Sequence, residues 1–202
     1  MNPAVTLAFL RLRLVQPIDG LFYMLSQTIG GTFGVLAGFL LTAGMLAGPE
    51  ARWVVTVPGT CGRFVAFVAE FLMAMFLMLV VLRFSNSPTL RGFTGSAAAL
   101  MVAIFITIAA PYSGMSINPA RTLASAIPSQ VWTAFWVYLL APPLGMLAAA
   151  ELHRWQSHGL LRHCAKLCHD NRTRCIHCGY APSEGTAANA PQSVSTARRS
   201  HV

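Results

Sequence analysis

Hydrophobic residues in this chain occur in long uncharged blocks, separated by short segments that carry arginine. Residues 20–49, 92–120 and 122–150 contain no charged side chain, and residues 64–82 contain only Glu70. A helix needs about 20 apolar residues to cross the hydrocarbon core of a bilayer, so each block is long enough. The pattern predicts four membrane-spanning helices, at about 21–46, 63–84, 92–110 and 132–154.

Two shorter helices are predicted beside these spans, and both begin with asparagine and proline. Residues 1–8 read Met-Asn-Pro-Ala-Val-Thr-Leu-Ala, and residues 117–124 read Ile-Asn-Pro-Ala-Arg-Thr-Leu-Ala. Asparagine is a good N-cap, and proline fits the first helical turn. Half-length helices in an apolar region are tolerated only where they line a cavity or are buried in protein. Two of them at matching places indicate an inverted repeat with its site near the membrane midplane.

Composition and the placement of charge also fit a membrane protein. Of the 202 residues, 55% are hydrophobic and 10% are charged, and the formal net charge is +8. Most arginines lie in alternate loops and in the polar tail after Trp155, which the positive-inside rule places in the cytoplasm. Basic and aromatic residues are not interleaved as in a nucleic-acid groove. The expected partner of the basic tail is therefore anionic lipid, not nucleic acid.

The doubled Asn-Pro-Ala motif resembles the signature of the aquaporin, or major intrinsic protein, family. The second copy continues into Arg121, follows Ser-Gly-Met-Ser at 113–116, and is accompanied by Ala-Glu-Phe-Leu at 69–72 and Ala-Pro-Pro-Leu-Gly at 141–145. The similarity extends over about 1–155 and is expected to be closest to bacterial aquaporin-like proteins. It implies an all-α, aquaporin-like inverted-repeat bundle with two re-entrant half-helices. Because the chain begins inside the first motif, the family's first two spans are expected to be missing through truncation at Met1.

By this resemblance the chain is a channel for passive permeation of water or small neutral solutes. Each half-helix N-terminus carries about +0.5 elementary charge and repels cations, while the asparagine amides donate to water and interrupt a proton-conducting wire. The expected result is exclusion of ions and protons. The pore and selectivity residues that the resemblance implies are Asn2, Pro3, Ala4, Asn118, Pro119, Ala120, Arg121, Ile106, Thr107 and Met115.

The implied selectivity filter departs from the water-selective pattern of the family. Arg121 is the only charged residue in 92–150, and the resemblance places it at the outer constriction. The filter histidine of relatives would fall at Ile106, or at Thr107 if the alignment shifts by one residue. The cysteine or alanine that accompanies this histidine in the filter of relatives would fall at Met115. Isoleucine removes a hydrogen-bond donor, so strict water selectivity is not predicted. Thr122 replaces the aspartate that glycerol facilitators usually carry after this arginine, so the identity of the permeating solute stays open.

Glu70 is the only charge in the second predicted span. By resemblance it is a buried structural glutamate that accepts backbone N–H bonds from the re-entrant loop, where water cannot reach them. The alternative is a proton relay, which would need a titrating partner inside the membrane, and the sequence shows none.

The expected domain organisation is a transmembrane domain at 1–155, a Cys/His-rich cytoplasmic tail at 156–182 and a disordered C-terminus at 183–202. Two interpretations of the tail stay open: a zinc site, since the second cysteine pair has zinc-finger spacing, and a solvated basic tail with reduced thiols. The pore itself requires no cofactor. The candidate zinc ligands are Cys164, Cys168, Cys175 and Cys178.

An enzyme is not expected, because the sequence shows no Ser-His-Asp, Cys-His or paired-carboxylate arrangement. By resemblance, the channel would be a homotetramer with one pore per subunit, in the bacterial inner membrane. Two other functions stay open. The chain could be a non-conducting fragment, or a membrane-anchored metal-binding module that acts through its tail.

Overall fold

The computed structural model describes residues 2–87 and 89–156, and in these ranges the chain consists of α-helices and short 3-10 turns without a β-strand. The all-α architecture is therefore confirmed. The helices are α1 (Pro3–Arg11), α2 (Pro17–Leu41), α3 (Gly62–Ser85), α4 (Thr94–Ser113), α5 (Pro119–Ser129) and α6 (Phe135–Gln156). The 3-10 turns are Met45–Ala47, Arg52–Val54 and Arg91–Phe93.

Four of these helices are long and apolar enough to cross a membrane, as the hydrophobic blocks predict. They are α2, α3, α6 and the stretch Arg91–Ser113 that contains α4. In contrast, α1 has 9 residues and α5 has 11. At about 1.5 Å per residue, neither can cross a hydrocarbon core of about 30 Å. Both are therefore half-helices.

The boundaries of α2 differ from the sequence prediction. The helix begins at Pro17, not near residue 21, because proline is favoured at the first helical position and Asp19 lies in the first turn, near the positive end of the dipole. It ends at Leu41, not near residue 46. Gly44 has a φ of 86°, which starts a separate 3-10 turn. The loop from residue 42 to residue 61 is consequently longer than predicted.

Packing holds each half-helix against a span that is distant in sequence. The most extensive helix–helix contact joins α3 to α6, while α1 packs on α6 and α5 packs on α2. Small side chains fill the tightest parts of the main core, which lets the backbones approach closely in the membrane. The completely buried members of this core are Ala4, Ala8, Ala74, Met78, Met146, Ala149 and Ala150.

Glycines at 30, 31, 34, 38 and 145 are expected from the sequence to mark close helix crossings. The structure supports this at Gly31, where an added Cβ would lie 3.2 Å from Ala124 Cβ. It supports it most strongly at Gly145, where an added Cβ would lie 2.2 Å from Phe71 O. An added Cβ at Gly30 or Gly34 would meet no described atom within 4 Å, so for these two the expectation is wrong within the described residues.

Candidate functional site

The two Asn-Pro-Ala motifs fold in the same way. Asn2 and Asn118 are the N-caps of α1 and α5, with φ/ψ of −150°/117° and −150°/107°. Asn2 Oδ1 accepts from the Ala4 N–H at 2.9 Å, and Asn118 Oδ1 accepts from the Ala120 and Arg121 N–H groups at 3.1 and 3.3 Å. The sequence repeat is therefore also a structural repeat, because each side-chain oxygen satisfies helix-start donors that have no intrahelical partner.

The N-termini of the two half-helices meet. The Asn2 side-chain amide donates to the Ile117 carbonyl, next to Asn118, at 2.7 Å. Asn2, Asn118 and Arg121 all line one cavity of about 980 Å³. Arg52 and Glu50 also line this cavity, and their charges offset each other. The positive ends of two helix dipoles and the Arg121 guanidinium therefore face a single space, which favours neutral or anionic occupants over cations.

Of the predicted filter positions besides Arg121, the structure places Ile106 and Met115 in the cavity wall. Thr107 does not line the cavity. Its hydroxyl donates to the Ala103 carbonyl at 2.9 Å on the exposed side of α4. Of the two alternatives for the histidine position, the geometry therefore favours Ile106. Pro3, Ala4, Pro119 and Ala120 are first-turn residues of the half-helices, and they lie on or behind their tips.

A buried carboxylate holds the loop that leads into the second motif. Glu70 is completely buried on α3, and its Oε1 accepts from the Ser113 hydroxyl at 2.9 Å and the Ser116 N–H at 2.8 Å. Its Oε2 accepts from the Ile117 N–H at 2.6 Å. Met115 and Ile117 both have a φ of 46°, a region that non-glycine residues adopt only at a cost of about 1–3 kcal/mol each. Glu70 therefore makes the contacts that the resemblance implied, and it holds a strained loop.

The loop before α3 forms an additional wall that the sequence analysis missed. Residues 50–55 and Val57 line the cavity beside Arg121. The turn Arg52–Val54 has φ values of 46°, 57° and 52°, and Trp53 stacks on Phe39 with ring centroids 4.9 Å apart. Three successive left-handed residues without glycine are rare, and a β-branched residue such as Val54 is a clear outlier. Strain of this kind concentrates at functional sites.

Close backbone contacts fix this loop to the end of α4, and a chain of hydroxyl groups fixes it to the second half-helix. The Gly59 N–H donates to the Tyr112 carbonyl at 3.0 Å, in a contact so close that an added Cβ would lie 1.8 Å from Pro111 O. Thr56 Oγ1 lies 2.9 Å from Thr122 Oγ1, which in turn lies 2.5 Å from Ser116 Oγ. Thr122, next to Arg121 in the chain, thus connects the loop wall to the re-entrant loop.

Thr122→Val is expected to lower the free energy of unfolding by about 1–3 kcal/mol, because it leaves the buried Thr56 and Ser116 hydroxyls without their shared partner. Unfolding by SDS in mixed micelles would measure the change. Thr32→Val is the matched control, since Thr32 only donates to the Thr28 carbonyl within α2. Equal losses for the two variants would contradict a special role for the hydroxyl chain.

The candidate zinc ligands Cys164, Cys168, Cys175 and Cys178 lie outside the described residues. Within 2–87 and 89–156, no group of three or more His, Cys, Asp or Glu side chains is placed to hold a metal ion. The zinc interpretation of the tail therefore stays a prediction.

Sequence comparisons show the family of this chain, and a structure comparison shows its fold. A sequence model described as Major intrinsic protein matches residues 1–153. The chain is 36% identical to Nodulin-26 of Glycine max over 154 residues, and this aligned region covers 75% of this chain and 55% of that protein. It is 38% identical over 151 residues to Aquaporin NIP6-1 of Arabidopsis thaliana, covering 74% of this chain and 48% of that protein.

The chain spans about half the length of the curated relatives it matches. Among solved structures, the aquaglyceroporin from Plasmodium falciparum superposes with a TM-score of 0.66 at 20% sequence identity, over 75% of this chain and 70% of that chain. That likeness shows a shared fold. Together with the four apolar helices, these matches show that the chain is a multi-pass membrane protein and that it belongs to the major intrinsic protein family.

Proposed function

We propose that the protein is a membrane channel for passive permeation of water or small neutral solutes, and not an enzyme. One observation carries the proposal: Asn2 bonds to Ile117 at the tip of the opposite half-helix, and both motif asparagines line one cavity with Arg121. The names of the relatives support it, since they include aquaporins and an aquaglyceroporin.

Exclusion of ions and protons is part of the proposal, and the same geometry supports it. Both half-helices direct their positive ends into the cavity, and Arg121 adds a full charge that raises the energy of a passing cation. Each asparagine oxygen accepts from its own helix, so the side-chain amide nitrogens supply the donors, and each carries two N–H groups, of which Asn2 directs one to the Ile117 carbonyl. A water molecule that accepts from them cannot also accept from its neighbour, which interrupts a proton wire.

The lining of the cavity favours permeation of small neutral solutes besides water. Ile106, Met115 and Val54 offer apolar surface in the cavity that Arg121 also lines. A solute with one hydrogen-bonding edge and one apolar edge matches such a lining better than water alone does. The proposed assembly is a homotetramer in the inner, or plasma, membrane with the tail in the cytoplasm. The bacterial origin stays a prediction, as the curated relatives reported above are plant proteins.

Stopped-flow light scattering of proteoliposomes tests the proposal. Vesicles that contain the protein are expected to shrink faster than empty vesicles under an osmotic gradient, or to re-swell faster in glycerol or urea. Unchanged permeability to water, glycerol and urea would contradict a channel function for this chain and would favour a non-conducting fragment. Zinc analysis of the full chain separately tests the metal-binding module.

Arg121→Val is expected to retain permeation but to raise proton or ammonium-ion flux at least about ten-fold, which corresponds to a barrier lower by about 1.4 kcal/mol. The reason is the removal of the one full positive charge that the half-helices place in the cavity wall. A pH-sensitive dye inside the vesicles measures the flux. Arg63→Val, which removes an exposed arginine at the start of α3, is the control and is expected to leave the flux unchanged.

A further inference from the structure

Two residues that line a second cavity each carry a buried polar atom that the proposed pore does not explain. Within residues 2–87 and 89–156, the buried side-chain atoms without a hydrogen-bond partner are Gln27 Oε1 and Arg121 Nη1. Both residues line a cavity of about 360 Å³ between α2 and α5. An unpaired buried polar atom costs about 1–3 kcal/mol, so two in the wall of one cavity indicate a shared ligand.

The hydrogen bonds around Gln27 fix the orientation of its amide. Gln27 Nε2 lies 3.2 Å from Thr6 Oγ1, and the Thr6 hydroxyl lies 3.4 Å from the Asn2 carbonyl, to which it donates. Because a hydroxyl has one hydrogen, Thr6 Oγ1 accepts the bond from Gln27 Nε2. The amide nitrogen therefore points toward α1, and the unpaired atom of Gln27 is an acceptor.

The two unpaired atoms have complementary chemistry. The amide oxygen of Gln27 can only accept, and the guanidinium of Arg121 can only donate. One water molecule can accept from the guanidinium and donate to the amide, and the cavity exceeds the volume of about 30 Å³ that a water molecule occupies in the liquid. We propose that Gln27 is a positioning residue for Arg121, and that it acts through water held in this second cavity.

This arrangement would connect the first half-helix to the selectivity arginine. Val54, Asn118 and Arg121 line both cavities, so Arg121 lies between the passage and the second cavity. With one nitrogen bound to water on the Gln27 side, the guanidinium keeps its remaining donors toward the passage. Gln27 is in turn bound to Thr6 on α1. The inference rests on the proposed function only for the role of Arg121 in selectivity.

An experimental structure of the full chain at a resolution that shows ordered water tests the contact directly. The expected result is a density peak within about 2.6–3.2 Å of both Gln27 Oε1 and Arg121 Nη1. Direct contact between the two side chains, or no peak within reach of both atoms, would overturn the proposal. This readout does not depend on permeation, so its failure is distinct from a failure of the proposed channel function.

Solute selectivity in proteoliposomes tests the positioning role. Gln27→Leu is expected to change the ratio of glycerol to water permeability at least about three-fold, and to change it no further when Arg121→Val is already present. Thr28→Val is the matched control, since the neighbouring Thr28 hydroxyl only donates to the Met24 carbonyl within α2, and it is expected to preserve the ratio. If Thr28→Val reproduces the effect of Gln27→Leu, loss of any polar group from this part of α2 is sufficient and the proposal fails.

Discussion

Glu70→Gln is expected to lower the free energy of unfolding by about 3 kcal/mol or more, and to abolish permeation. Glu70 accepts three hydrogen bonds, from Ser113, Ser116 and Ile117. A glutamine can keep the two bonds to its oxygen, but its amide nitrogen then faces the Ile117 N–H, donor against donor. The buried N–H loses its partner, and the remaining bonds lose the charge of their acceptor, which together account for this magnitude.

Loss of permeation follows because the same carboxylate holds strained Ile117 directly and strained Met115 through the Ser113 hydroxyl. The Ile117 carbonyl receives the bond from Asn2, so a shifted loop separates the two half-helix tips. SDS-induced unfolding measures the stability, and stopped-flow scattering measures the permeability. Glu151→Gln is the matched control. Glu151 is half-exposed and pairs with Arg11 at 2.6 Å, so its loss is expected to cost at most about 1 kcal/mol.

A proton-relay role for Glu70 predicts a different result for the same variant. Glutamine would then abolish a proton flux while leaving the fold and its stability intact. If the glutamine variant unfolds at the same SDS concentration as the original chain, the structural interpretation of Glu70 is wrong. The three hydrogen bonds favour the structural interpretation, because all three donors lie between residues 113 and 117, in one segment that leads into the second motif.

The spans and half-helices could be predicted from the sequence because their physical causes are local. An uncharged stretch of about 20 residues is long enough to cross a bilayer, and an Asn-Pro pair both caps and starts a helix. The positions of Asn2 and Asn118 at facing tips also follow from the repeat, since two similar half-helices in one bundle share a midplane. Their measured contact, from Asn2 to the Ile117 carbonyl, agrees with that expectation.

The wall formed by residues 50–57 could not be predicted, because its conformation has no local cause. Arg52, Trp53 and Val54 disfavour the left-handed backbone that they adopt. The turn is held by distant contacts, namely the stacking of Trp53 on Phe39 and the bond of Thr56 to Thr122. Nothing in the order of residues between 42 and 61 indicates those partners.

Gln27 was missed although the sequence carried a signal for it. An amide side chain in an uncharged span is costly to bury without partners, so it is a candidate for a functional contact. The signal is weak, because a single amide in a span can also bond to its own helix. Only the structure shows that Gln27 Nε2 bonds to Thr6, that its oxygen is buried without a partner, and that Gln27 lines a cavity together with Arg121.

The contact between α3 and α6 is expected to fail when Gly145 receives even one methyl group. Gly145 lies in α6 against the backbone of α3, where an added Cβ would lie 2.2 Å from Phe71 O and 3.1 Å from Met75 N. Neither atom belongs to a flexible side chain, so the helices themselves must separate. Overpacking a core commonly costs about 1–3 kcal/mol, and this backbone clash places Gly145→Ala at or above the upper end.

The sign of the effect makes the comparison with a second glycine decisive. In a helix without a clash, alanine is more stable than glycine by about 0.5–1 kcal/mol. Gly34 lies in α2, and an added Cβ there meets no described atom within 4 Å. SDS titration of Gly145→Ala and Gly34→Ala should therefore move the unfolding midpoint in opposite directions. If both midpoints rise, α6 does not approach α3 as closely as the structure places it. The packing around Glu70, which precedes Phe71 in α3, would then also be different.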